Sequence, residues 1–163
     1  MSAIFNFFAI FGKEFALFMI SMIPLIEERG AIIYGAAIGM PWYQVLPICI
    51  VANMIPVPFV LIFGMKLIKY LKTTKLLGGF FTKYEAKLME RSANVDRYSL
   101  IALALFVGIP LPGTGAWSGS LIATILNIDF KKAVFAIFIG VLIAGIIMTL
   151  GSYGMVGVFR LFL

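Results

Sequence analysis

Two long apolar stretches, residues 45–65 and 133–150, constrain this chain more than any other feature of its sequence. A helix of about 20 apolar residues spans the hydrocarbon core of a bilayer, and both stretches are close to that length. Hydrophobic residues make up 63% of the 163 positions and charged residues only 12%, whereas a soluble domain has about 25% charged residues. The solvent of this chain is therefore lipid, and we predict an all-α integral membrane protein.

Shorter apolar segments occur in two pairs, within residues 15–40 and 98–128, and each segment reaches only part way across a bilayer. A charged stretch at 24–30 interrupts the first pair, and a stretch rich in Pro and Gly at 110–115 interrupts the second. Paired half-helices with such tips are typical of re-entrant hairpins. We predict a hairpin over each pair, with the turns formed by Pro24 and Gly30 and by Pro110, Pro112, Gly113 and Gly115.

The order of hairpin and long helix occurs twice along the chain. Ile23-Pro24-Leu25 recurs as Ile109-Pro110-Leu111, and a ladder of small residues follows each. Such ladders also arise in membrane helices that carry no repeat. We nevertheless predict one membrane-embedded domain over 1–163, with an N-terminal half (1–65; hairpin 15–40 and helix 45–65), a connector (66–97) and a C-terminal half (98–163; hairpin 98–128 and helix 133–150).

Positive charge is concentrated in the connector, residues 66–97, which holds eight Lys or Arg residues against three acidic ones. The positive-inside tendency places this connector in the cytoplasm, so the two hairpins enter from opposite sides and the repeat is inverted. The connector is also expected to attract anionic lipids. Nucleic acid is not an expected partner, because the net charge of +6 forms no soluble basic face. We expect a multi-pass protein of a prokaryotic plasma (inner) membrane.

Histidine is absent and Cys49 is the one cysteine, which excludes His-based catalysis, His/Cys zinc sites and intrachain disulfides. The seven acidic residues form no spaced metal cluster. We therefore expect no metal, no cofactor and no enzymatic activity.

Glu27, Glu28 and Arg29 are the strongest candidates for a functional site. A charged side chain at the centre of a membrane helix costs about 2.5 to 3.5 kcal/mol on insertion scales, so three in a row must be paired, hydrated or functional. Successive helical side chains point about 100° apart, so at least one carboxylate is expected to face away from Arg29. A buried carboxylate is a candidate proton site, and Arg29 is a candidate for gripping a phosphate or carboxylate. The alternative is a solvated loop at the membrane interface.

Uncharged polar residues mark two further places, the second tip and the middle of the first long helix. Thr114, Trp117 and Ser118 lie at the second tip, where a helix start favours an anion; the alternative there is a tight turn with a capping Thr. Asn53 lies mid-membrane and either bridges helices or lines a cavity. Just beyond it, Pro56 and Pro58 remove two backbone donors, so the first long helix is predicted to kink or unwind there.

Three stretches of this sequence, 24–31, 53–58 and 108–119, resemble the small multidrug export proteins. That family is similar in layout to the DedA-type (VTT domain) membrane proteins, whose paired hairpins carry embedded acidic and arginine residues and are associated with translocation of polyprenyl phosphates and lipids. The resemblance implies a transporter-like core with its charges at Glu27, Glu28 and Arg29. The second tip departs from the DedA pattern, since it carries Thr114, Trp117 and Ser118 where an arginine is expected.

The resulting hypothesis is a membrane transporter of small molecules or of anionic, polyprenyl-phosphate-like lipids, with a midplane site between the two hairpins. Arg29 would bind an anionic group while Glu27 or Glu28 exchanges protons. The alternative is a non-transporting scaffold or subunit in which the Glu and Arg side chains form a structural ion pair, whose loss would destabilise the protein. A homodimer through the glycine ladders, or through Gly151, Gly154 and Gly157, is compatible with either hypothesis.

Overall fold

The computed structural model describes residues 12–72, 98–111 and 113–162, and for residues 65–72 and 156–162 the backbone alone. Most of the predicted connector 66–97 and Pro112 therefore lie outside the described residues. The described parts are helical and contain no strand, which confirms the all-α prediction. The helices are α1 (Lys13–Met22), α2 (Glu27–Ala37), α3 (Trp42–Met54), α4 (Pro56–Lys72), α5 (Tyr98–Gly108), α6 (Ala116–Ile125) and α7 (Phe130–Phe162).

Two helical hairpins stand where the sequence predicts them. The first consists of α1 and α2, joined by a turn over residues 23–26, and the second consists of α5 and α6, joined across residues 109–115. Each ends about three residues before its predicted limit. Their insertion into the membrane from opposite sides remains a prediction.

Two helical segments are long and apolar enough to cross a bilayer, Trp42–Gly64 and Phe130–Met155. The first is interrupted at Ile55, directly before Pro56, so the predicted break in this helix is confirmed. The second begins three residues earlier than predicted, because the Asp129 carboxylate accepts hydrogen bonds from the backbone N–H groups of Lys131 and Lys132 and caps the helix start.

Apolar packing brings the two hairpins together. One buried cluster joins α1, α2 and α3, and a second joins α5 and α6 to α7 and to Val57 of α4. The helices α3 and α7 run antiparallel, since the Tyr153 hydroxyl donates to the Met40 carbonyl at 2.7 Å and Gly145 lies against Leu46 and Ile50. Because α2 also packs on α7, the turn of the first hairpin meets the turn of the second.

Candidate functional site

Arg29, in the first turn of α2, reaches across to the second hairpin. Its Nη1 donates to the carbonyl of Leu111 at 2.6 Å, and its Nη2 lies 3.1 Å and 3.2 Å from the carbonyls of Val107 and Ile109. Nη2 also donates to the carbonyl of Thr114. The last carbonyls of a helix lack partners within the helix, and a cation is favoured there. The guanidinium group therefore satisfies the backbone at the end of α5 and in the turn that follows.

Glu27 meets the other side of the same turn. Its Oε1 accepts a hydrogen bond from the backbone N–H of Trp117 at 3.2 Å, so its carboxylate caps the start of α6. Gly115 lies against this carboxylate so closely that any Cβ at position 115 would overlap it. Glu27 itself has φ of 52°, a left-handed conformation that is uncommon for a residue with a long side chain. The backbone accepts this strain at the point where the carboxylate enters the second hairpin.

The second tip uses its own polar side chains to close its turn. The Thr114 hydroxyl lies 2.7 Å and 2.9 Å from the carbonyls of Ile109 and Leu111. The Ser118 hydroxyl accepts from the backbone N–H of Gly115 at 2.8 Å. Both hydroxyls therefore serve a tight turn, which the sequence left open as the alternative, but Ser118 makes the cap instead of the expected Thr114. The Trp117 indole instead donates to the carbonyl of Met22 at 3.2 Å and ties the tip to the first hairpin.

Glu28 faces away from this contact, as the helical spacing of the three charged residues predicts for one carboxylate. Its side chain is 2% exposed and points toward α3 and α7, where its Oε2 lies 3.5 Å from the Cβ position of Gly145. It also interacts electrostatically with Cys49 of α3. Within the described part of the chain, Oε2 has no hydrogen-bond partner.

Asn53 lies one turn beyond Cys49 on α3 and is 1% exposed. Its Oδ1 has no hydrogen-bond partner among the described residues, so the structure shows no helix bridge through this oxygen. The predicted kink residues follow at once, with Pro56 buried and Pro58 half-buried. Asn53 is absent from the lining of the cavity between the hairpins.

A cavity of about 830 Å³ lies between the two tips. Its walls are mostly apolar and come from α2, α6, both turns and Met148 of α7. Pockets of this size hold drug-sized molecules, in which a few polar groups fix the orientation of the ligand. The polar and aromatic groups here are Glu27, Arg29, Tyr34, Trp117 and Ser118. The cavity therefore contains the predicted site residues of both tips except Glu28 and Thr114.

The predicted turn residues also divide into those that line the cavity and those that do not. Pro24, Gly30, Pro110 and Gly113 line the cavity, while Gly115 is buried beneath it. Gly113 has φ of 83°, which explains a glycine at that point of the turn. The sequence did not reveal that backbone carbonyls are the partners of Arg29, because a carbonyl leaves no mark on the residue types around it.

Comparison with known protein families identifies a relationship. The family model described as "Putative small multi-drug export protein" matches residues 27–147, from the charged start of α2 to the middle of α7. No curated protein and no solved structure matches the chain. The matched range contains the three charged residues of the first tip, the whole second hairpin, and both membrane-spanning segments except the end of the second; α1 and the first turn lie outside it. Because the match covers most of the chain, this membrane protein belongs to the small multi-drug export protein family.

Proposed function

We propose that this protein exports small amphipathic molecules across a prokaryotic plasma membrane and binds them in the cavity between its two hairpin tips. The observation that carries the proposal is the cavity itself, about 830 Å³ in volume, apolar over most of its wall and furnished with charged and aromatic groups at one end. Its position between two packed hairpins suits alternating access, since a small shift of one hairpin against the other would open it to one side or the other.

The environment of Arg29 favours amphipathic or cationic molecules over polyprenyl phosphates. Its Nη atoms already lie against four backbone carbonyls, so a phosphate would have to displace them. The Glu27 carboxylate and the aromatic rings of Tyr34 and Trp117 line the same cavity and would attract a cation. Glu27 and Glu28 are both candidates for the proton exchange that would drive export.

Transport by purified protein in proteoliposomes tests the proposal, with ethidium and a fluorescent farnesyl phosphate as probes. Ile33→Trp would fill the cavity from α2, where Ile33 is 52% exposed and lines the wall. Leu105→Trp is the matched control, because Leu105 is also 52% exposed but lies outside the cavity. Ethidium transport should be lost in Ile33→Trp and kept in Leu105→Trp. Equal transport by both variants would contradict the cavity as the site, and transport of farnesyl phosphate alone would favour a lipid translocator.

The second candidate is a non-transporting scaffold, and a specific observation favours it. The hydrogen bonds of Glu27 and Arg29 go to backbone groups of the second hairpin, which is a structural use of charge. In a scaffold the wild-type protein would move neither probe, whereas Arg29→Ala would still destabilise it. Transport by the wild type therefore separates the two candidates.

A further inference from the structure

Three buried polar atoms lie apart from the cavity and lack hydrogen-bond partners among the described residues: Glu28 Oε2, Asn53 Oδ1 and Thr149 Oγ1. Their side chains are 2%, 1% and 8% exposed. Buried polar groups in native proteins are almost always hydrogen-bonded, so each exception needs an explanation. None of the three atoms takes part in the hydrogen bonds between the hairpin tips.

The three groups lie on α2, α3 and α7, which pack on one another. Glu28 Oε2 lies at Gly145 of α7. Thr149 is four residues further along α7, or about 6 Å, in the direction of Tyr153. Asn53 is about 6 Å beyond Cys49 on α3, in the opposite direction, because the two helices are antiparallel. Along the two antiparallel helices, Thr149 and Asn53 therefore lie on opposite sides of the level of Glu28.

We propose that Glu28 is a buried proton-binding site, with Asn53 and Thr149 as the polar groups through which the proton reaches and leaves it. An isolated ionised carboxylate is costly to bury, and the smallest species that neutralises it is a proton. A bound metal cation would need several oxygen ligands around one point, whereas these oxygens are spread along the helices. The described residues also contain no group of three acidic, Cys or His side chains.

The charged and titratable neighbours of Glu28 are few. Its own helix contributes Glu27 and Arg29, which act on it electrostatically and are engaged with the second hairpin. From α3 comes the thiol of Cys49, and from α7 the phenol of Tyr153, which interacts with that thiol. The helix α1 packs against this region and contributes Ser21, whose uncharged hydroxyl donates to the Cys49 carbonyl at 2.8 Å. Arg29 is the basic group that acts on Glu28, and both of its Nη atoms donate to backbone carbonyls of the second hairpin.

Proton binding forms an O–H bond between a carboxylate oxygen and a proton delivered by water, and release breaks that bond and leaves its electron pair on the oxygen. Coupling of this step to export rests on the proposed function: the substrate would occupy the cavity at Glu27 while the proton occupies Glu28 on the other side of the hairpin contact. Two adjacent carboxylates would then have separate roles.

Infrared spectroscopy of the purified protein at neutral pH tests the proton site without any substrate. A protonated carboxyl group has a C=O band separate from that of carboxylates. We expect such a band in the wild type, its loss in Glu28→Gln and its retention in Glu27→Gln. Absence of the band from the folded wild type, or its loss in Glu27→Gln instead, would overturn the proposal. Gly145→Ala adds a methyl group in van der Waals contact with Oε2. This contact should shift the C=O band without removing it.

The exchange of this band in deuterated buffer tests the two flanking residues. Thr149→Val and Asn53→Leu should each slow the exchange several-fold. Thr124→Val is the matched control, because Thr124 is also buried in a helix but its hydroxyl donates to the Ser120 carbonyl at 2.8 Å. Equal rates in all three variants would overturn the relay.

Coupling is tested separately, with ethidium transport driven by a pH gradient. If Glu28 couples the proton to transport, Glu28→Gln should make ethidium movement independent of the gradient while the variant stays folded. Gradient-driven transport by Glu28→Gln would overturn the coupling. A wild type that moves no ethidium would instead count against the proposed function, and the infrared result would still decide the proton site.

Discussion

The two hairpin tips differ in what they contribute to their contact. The first tip supplies charged side chains, with Glu27 and Arg29 at the start of α2. The second supplies backbone groups: the carbonyls that end α5 and the N–H group that starts α6. Without the other tip, the first would lose the partners of its charged side chains, and the second would lose a donor and an acceptor for its helix ends. The two tips are therefore complementary, because the charged side chains of the first pair with the backbone groups of the uncharged second.

The largest effect on this complementarity is expected from Arg29→Ala. It would remove a charged donor from the carbonyls of Val107, Ile109, Leu111 and Thr114. A hydrogen bond to a charged group contributes about 1.5 to 3 kcal/mol. We expect a loss of this order in the free energy of unfolding in detergent micelles. Lys131→Ala removes an exposed positive charge and should change it little; equal losses in the two variants would contradict the contact.

Gly115→Ala tests the same contact from the second tip. The added methyl group would overlap the Glu27 carboxylate and force the tips apart. Overpacking of this kind costs about 1 to 3 kcal/mol, and thermal unfolding in detergent would measure it. Gly151→Ala is the control, since a Cβ there meets no described atom within 4 Å. A Gly115→Ala protein as stable as Gly151→Ala would show that the carboxylate does not lie against the turn.

Glu27→Gln is expected to have a smaller effect. The amide oxygen can still accept from the Trp117 N–H, but the negative charge at the start of α6 is lost. Such a charge contributes about 0.3 to 2 kcal/mol, depending on its burial. Thermal unfolding should therefore show a modest destabilisation, clearly less than that of Arg29→Ala. A loss as large as that of Arg29→Ala would mean that Glu27 supports more than one helix start.

Glu28→Gln should have the smallest effect of the four on stability. If Glu28 holds a proton at rest, glutamine replaces it at nearly the same volume and with the same charge. We expect the free energy of unfolding to stay within about 0.5 kcal/mol of the wild type. A destabilisation comparable to that of Arg29→Ala would indicate an ionised Glu28 that holds the fold together.

Much of the fold follows from the order of apolar and polar residues. The paired short helices, a long helix over 133–150 and the break before Pro56 all follow from segment length and from proline chemistry, whereas the continuation of that helix to Phe162 was not predicted. The helix α7 begins earlier than the apolar run suggests. The Asp129 carboxylate caps its start, and this cap allows the helix to include polar residues before the apolar run.

The sequence predicted which charged residues belong to the candidate site but not how they are arranged. The cost of burying Glu27, Glu28 and Arg29 singles them out, and the helical period predicts that one carboxylate turns away. The sequence could not reveal which one, since the left-handed φ of Glu27 decides it. The partners of Arg29 are backbone atoms about 80 residues away in sequence, so no residue pattern points to them.

The most direct test of the account is the NMR spectrum of protein labelled with ¹⁵N at tryptophan, recorded for the wild type and for Glu27→Gln. The chain has two tryptophans, Trp117 in the contact and Trp42 at the exposed start of α3. The backbone N–H of Trp117 donates to Glu27 and its indole to the Met22 carbonyl. We predict that the backbone signal of Trp117 moves in Glu27→Gln while both signals of Trp42 stay in place. A Trp117 backbone signal that does not move, or that moves no more than the Trp42 signals, would contradict a contact between the first tip and the start of α6.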